Sequence, residues 1–143
     1  LEVQLPLLQY AFKSFKIVPI AMSLQDDETA REVGGEIAKA LSETKRKTIV
    51  LASSDFTHYE PDNVARQTDK YVIDAILELN VEKFYHRLYE RDASVCGYGA
   101  IAAMLHATKN SAKSGEVIKY ATSGDIVGDK SSVVGYAGIT IKS

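Results

Sequence analysis

The apolar period of this chain changes several times along its length, and the order of those changes limits the fold more than any single motif. Thr48-Ile49-Val50-Leu51-Ala52 is a short run, apolar from Ile49 onward, the clearest buried strand in the sequence. It passes without a turn into Ser53-Ser54-Asp55-Phe56-Thr57-His58. Beyond Pro61 the period becomes helical. Val64, Thr68, Tyr71/Val72, Ala75/Ile76 and Leu79 predict an amphipathic helix, and Val81, Phe84/Tyr85 and Leu88/Tyr89 a second. Cys96-Gly97 leads into a third, rich in small residues, over 99–109. Upstream, residues 15–22 (Phe15, Ile17, Val18, Ile20, Ala21) read as another buried strand. Asp26-Asp27-Glu28-Thr29 is acidic helix-start chemistry ahead of Ala30, Val33, Ile37 and Leu41, where Gly34-Gly35 either weakens that helix or marks close packing. Residues 1–12 suit a short helix with Pro6 in its first turn. Residues 117–121 and 133–141 close the chain as two strands, an antiparallel pair. The order α-β-α-β-α-α-α-β-β predicts an α/β fold, a mixed β-sheet flanked by helices, in one domain over residues 1–143.

Composition removes several function classes. With 17 basic and 19 acidic residues and no basic stripe, no nucleic-acid partner is expected. Lys45-Arg46-Lys47 reads as solvated charge between two elements. No stretch reaches the roughly 18 apolar residues of a spanning helix, so no membrane partner is expected. One cysteine excludes an intrachain disulfide and suits a reducing compartment, which makes cytoplasmic the expected location. The chain opens at Leu1 directly into apolar residues, as the C-terminal part of a longer protein would.

Two stretches hold the chemically rich side chains. Asp55 and His58 follow the 48–52 strand, at the carboxyl edge where open α/β sheets bind ligands. On a helical turn their spacing would put carboxylate and imidazole on one side, the acid fixing the histidine's tautomer for general-base or ligand duty. The competing reading is a helix cap by Asp55 with a packed His58. Cys96 sits before a helix N-terminus, where the dipole favours a thiolate that binds metal or attacks as a nucleophile. It is equally readable as a small buried apolar residue. Gly97 beside it lets backbone come close, and Tyr59 and Tyr98 flank the two motifs as ligand-orienting or rim-of-core residues. His86 and His106 read as helix-surface residues. Ser123-Gly124-Asp125 with Gly128-Asp129-Lys130-Ser131-Ser132 lacks the phosphate-loop pattern and reads as a strand connection.

Four stretches together resemble the Memo family: Leu1-Glu2-Val3-Gln4-Leu5-Pro6, Ser53-Ser54-Asp55-Phe56-Thr57-His58-Tyr59, Val95-Cys96-Gly97-Tyr98-Gly99, and Tyr120–Asp125 with Ser131–Tyr136. They reach from end to end of the chain. The family is similar in fold to class III extradiol ring-cleaving dioxygenases, which are non-haem iron enzymes. The resemblance implies that Cys96 is a metal ligand, that His58 corresponds to the acid/base of the related dioxygenases, and that Asp55 is the pocket acid beside it. Tyr59, Gly97 and Tyr98 would line the pocket. The family's two metal-binding histidines precede the segment at which this chain begins. The expected fold is therefore extradiol-dioxygenase-like, lacking its N-terminal half, and this chain alone would hold no metal tightly. A thiolate in place of the dioxygenases' carboxylate shifts preference toward copper or oxidised iron.

Three functions follow as expectations. The first is a metal-capable, redox-active, dioxygenase-like pocket carrying iron or copper in the full-length protein. The second is a non-catalytic module binding a peptide or small aromatic ligand on the same scaffold. Animal members are associated with phosphotyrosine peptides, although only Lys130 and Arg66 lie near these motifs to meet a phosphate. The third is a structural remnant of a divided protein. Its expected partner is the missing N-terminal part or a second copy.

Overall fold

The computed structural model describes residues 1–143. A single 3-10 turn over Glu2–Gln4 leads into α1 (Leu5–Ala11), with Pro6 at its start. Helix α2 (Asp27–Glu43) begins where the acidic start signal lies: the Asp26 carboxylate accepts the Thr29 N–H at 2.9 Å. After a long irregular passage come β1 (His58–Glu60), α3 (Asp62–Leu77) and α4 (Val81–Glu90), the last capped by Asn80, which accepts from the Lys83 N–H at 2.8 Å. Then follow α5 (Tyr98–Thr108), β2 (Ser114–Thr122), a single turn α6 (Gly124–Val127), and β3 (Val133–Lys142).

The apolar stripes converge on one core. Val72 and Ile76 of α3, Phe84 and Leu88 of α4, and Ile101, Ala102 and Leu105 of α5 are buried together with Phe56 and Val95. Helix α2 lies against α5, and Gly34 is where they touch. A Cβ there would stand 2.6 Å from both the Ala103 carbonyl oxygen and the His106 Cβ, whereas one at Gly35 would meet nothing. Close packing at Gly34 therefore resolves the ambiguity of the glycine pair. The same crossing is tied by His106 Nε2 and Asp27 Oδ1 at 2.9 Å.

The sheet differs from the sequence-based expectation. It has three strands in the order β1-β3-β2, all antiparallel, so the mixed sheet is corrected to an antiparallel one. The final pair is antiparallel as expected, running from Ser114 opposite Lys142 to Thr122 opposite Gly135. The two upstream runs, 15–22 and 48–52, are not strands. A strand is defined by its ladder, and neither run makes a backbone–backbone hydrogen bond. Most of their apolar side chains stay out of the core, with Val18 87% and Ile49 69% exposed, although Ala52 packs against it. No helix is long and apolar enough to cross a membrane.

Candidate metal and acid/base site

The two motifs meet although 41 residues separate Asp55 from Cys96. The Asp55 N–H donates to Cys96 Sγ at 3.1 Å, and the Cys96 N–H donates to the Asp55 carbonyl at 3.3 Å. The Ser54 hydroxyl lies 3.8 Å from the sulfur, donates to the Asp55 carbonyl at 2.7 Å and accepts the Gly97 N–H at 2.8 Å. A sulfur that receives an N–H in this way is held in a fixed position, where it can serve as a metal donor. Gly97 makes the approach possible: a Cβ there would fall 2.6 Å from the Ser53 carbonyl oxygen. Gln25 closes the far side, donating to the Cys96 carbonyl at 3.1 Å and accepting the Gly99 N–H at 2.8 Å.

His58 reaches the same place from β1. Its N–H donates to the Ser94 hydroxyl at 2.8 Å, and its ring Nδ1 lies 2.7 Å from the Ser94 carbonyl. A carbonyl only accepts, so Nδ1 carries the hydrogen and Nε2 is left to bind a proton or a metal. Nε2 stands 3.8 Å from Asp55 Oδ2. Carboxylate, imidazole and thiol each offer one donor atom, all within 4.8 Å of one another. That juxtaposition arises without the helical turn read from the spacing. Residues 55–57 are irregular, His58 is in a strand, and Asp55 caps no helix, because α3 starts at Asp62 behind Pro61.

A buried carboxylate braces this strand from behind. Asp69, fully buried on α3, accepts the Thr57 N–H at 2.9 Å, the Thr57 hydroxyl at 2.6 Å and the Tyr120 hydroxyl at 2.6 Å. Burial, with the Asp69 carboxylate next, pushes the Tyr120 phenol well above its ordinary range, so it serves as a donor. Sequence reasoning missed Asp69, Ser94 and Gln25. Only Asp69 left a signal: it falls in phase with Ala65, Val72 and Ile76 on the apolar stripe of α3, an odd position for a lone charge.

The remaining candidates are spread around this centre. Tyr59, at φ 61° and 79% exposed, is in the left-handed region that a bulky residue rarely adopts, its ring 5.9 Å from that of His58. Tyr98 opens α5 and meets Tyr85 edge-on at 6.0 Å. His86 is an exposed surface residue 3.7 Å from Glu90. In α6, directly after β2, Asp125 is held by Arg66 at 2.7 Å and by the Thr122 N–H at 3.0 Å. Asp55 and Ser54 also face a cavity of about 330 Å³, shared with Gln4, Lys119 and Tyr136.

Comparison with known proteins matches the chain over nearly its whole length. Residues 1–140 match the family described as Memo-like protein. The chain is 52% identical over 143 residues to a MEMO1 family protein of Methanococcoides burtonii, covering 99% of this chain and 54% of that relative. The corresponding protein of Methanosarcina acetivorans is 54% identical over 144 residues, and that of Archaeoglobus fulgidus 53% over 142, each with the same 99% and 54% coverage. The chain thus spans about half the length of the curated relatives it matches. A match over almost every residue, at about half identity, makes this chain a member of the Memo family.

Proposed function

We propose that this Memo-family chain contributes one side of a centre for a single redox-active transition metal, iron or copper, next to a small-molecule pocket of dioxygenase-like type. The observation that carries the reading is the convergence of Asp55, His58 and Cys96 donor atoms within 4.8 Å. The donor set suits such an ion, since thiolate and imidazole are ligands for copper and iron. Cys96 would hold the metal, and the other ligands would come from polypeptide outside these 143 residues. A bound metal would supply one-electron exchange or polarisation of a coordinated oxygen. His58 Nε2, its tautomer fixed by Ser94, accepts or returns a proton, and Asp55 stabilises the charged imidazole. The cavity along Asp55, with Lys119 and Tyr136 at its wall, suits a small polar or phenolic ligand. That cavity also supports a second reading, a ligand-binding module without turnover.

Metal content decides between them. In a polypeptide of full family length carrying this chain, mass spectrometry should find about one iron or copper per chain. The Cys96→Ala variant should lose it, and the 143-residue chain alone should not retain metal through gel filtration. Absence of metal from the full-length protein overturns the metal reading. Ligand binding that survives Cys96→Ala would then leave the module.

A further inference from the structure

Cys96 and Gly97 share a peptide group that is held at both ends. Its N–H, on Gly97, donates to the Ser54 hydroxyl at 2.8 Å, and its carbonyl, on Cys96, accepts from Gln25 Nε2 at 3.1 Å. The same side chain makes a second bond, its Oε1 accepting the Gly99 N–H at 2.8 Å. Gly99 is the second residue of α5, and Gly97, which precedes that helix, has no side chain with which to cap it. A capping oxygen usually comes from that preceding residue and takes this N–H or the next. Here it comes from a residue 74 positions earlier in the chain.

Gln25 is built into this place. A Cβ on Gly99 would stand 2.8 Å from the Gln25 Cβ and 2.9 Å from its Cα and Cγ, so a larger residue there would push the two segments apart. The Gln25 carbonyl accepts the Tyr85 hydroxyl of α4 at 2.7 Å, and the next residue, Asp26, caps α2. The side-chain chemistry is equally specific. One contact needs a donor and the other an acceptor, and an uncharged amide offers both from one plane. A carboxylate of the same shape would keep the contact to Gly99 and lose the one to Cys96.

We propose that Gln25 is the positioning residue of the Cys96 sulfur. By holding the Cys96 carbonyl it fixes the backbone from which the thiol projects, and so keeps Sγ on the Asp55 N–H and beside His58. The bonds around Cys96 then divide the work: Asp55 anchors its N–H and its sulfur, while Ser54 and Gln25 anchor the peptide that follows. The consequence for metal affinity rests on the reading of Cys96 as a ligand, whereas the placement of the sulfur does not. Removing a residue that orients a metal ligand typically weakens binding by about 10–100-fold.

Asp55 supplies a readout that needs no metal, because its N–H donates to Cys96 Sγ. Hydrogen exchange is followed by NMR in the unmodified chain, Gln25→Ala and Gln25→Glu, with amides of α3 as the measure of global stability. Relative to those, the Asp55 amide should exchange at least about tenfold faster in both variants. In Gln25→Glu the Gly99 amide should stay protected, which separates capping of α5 from placement of the sulfur. An Asp55 amide that keeps its protection in either variant overturns the proposal, leaving Gln25 as a helix cap. Titration with cobalt(II) reads the consequence for metal: the thiolate-to-cobalt band should need at least about tenfold more metal in Gln25→Ala than in the unmodified chain. Equal affinity in the two overturns that consequence. A band missing from the unmodified chain sinks the metal reading alone, and the Asp55 amide still decides what holds the sulfur.

Discussion

Gly97 and Ser94 do for this site what the titrating residues cannot do for themselves. Gly97 lets the Ser53–Ser54 backbone press against the start of α5, which is what brings the Asp55 N–H onto the Cys96 sulfur. Adding one methyl there, Gly97→Ala, forces atoms apart that stand 2.6 Å from the new Cβ position. The expected cost is about 1–3 kcal/mol in urea unfolding, because overpacking of a rigid contact is relieved only by backbone movement. Metal retention in the full-length protein should fall with it. Ser94 acts through its carbonyl, which every residue possesses, so its second contribution is the hydroxyl that accepts the His58 N–H. Neither role is visible in a motif: Gly97 reads as permissive and Ser94 as loop. Cys96 and His58 stood out because cysteine and histidine are scarce in this chain, and Asp55 because it lies three residues from His58. Their meeting did not, since a separation of 41 residues is closed by backbone bonds that no periodicity encodes.

At the scale of elements, two polar clamps fasten α3 to the sheet. The inner one is Asp69, whose carboxylate serves Thr57 and Tyr120 together. Asp69→Ala leaves three donors without their acceptor and should destabilise the fold by about 2–4 kcal/mol. Asp69→Asn should cost far less, since its amide oxygen can accept from Thr57 while its NH2 group donates to the Tyr120 oxygen. Thermal unfolding of both variants checks the ordering, and equal losses would contradict it. The outer clamp joins Arg66 and Asp62 of α3 to Thr122 and Asp125. Hydrogen bonds from Arg66, then from Thr122, hold the Asp62 carboxyl down to about 2, and Asp125 is lowered by the Thr122 N–H and by Arg66. A folded-state value below the unfolded one, near 4, contributes stability above that pH which disappears as the solution is acidified toward 2. The urea midpoint should therefore drop between pH 4 and 2, and Arg66→Met should lower the midpoint at pH 7 while flattening that acid drop. An unchanged acid slope would show that the clamp does not carry it. The helices behind both clamps were readable because a 3.6-residue period is local. Residues 15–22 and 48–52 were not readable as unpaired, because β-branched composition states a preference and cannot supply a neighbour.

Taken whole, the molecule is a helical core under a three-stranded antiparallel sheet, with Asp55, His58 and Cys96 gathered where the sheet meets the start of α5. It spans about half the length of its relatives, leaves β3 unpaired along residues 137–141 on one edge, and brings the Asp55, His58 and Cys96 donor atoms within 4.8 Å of one another. The central claim is that Cys96 is a metal ligand in the company of Asp55 and His58. The most direct measurement is a titration with excess cobalt(II), anaerobic and reduced, following thiolate-to-cobalt charge-transfer absorption in the near ultraviolet. The band should grow in the unmodified chain, be absent from Cys96→Ser, and persist in His86→Ala, whose histidine lies on the exposed face of α4. An unmodified chain that never develops the band, or a Cys96→Ser variant that keeps it, would contradict the account.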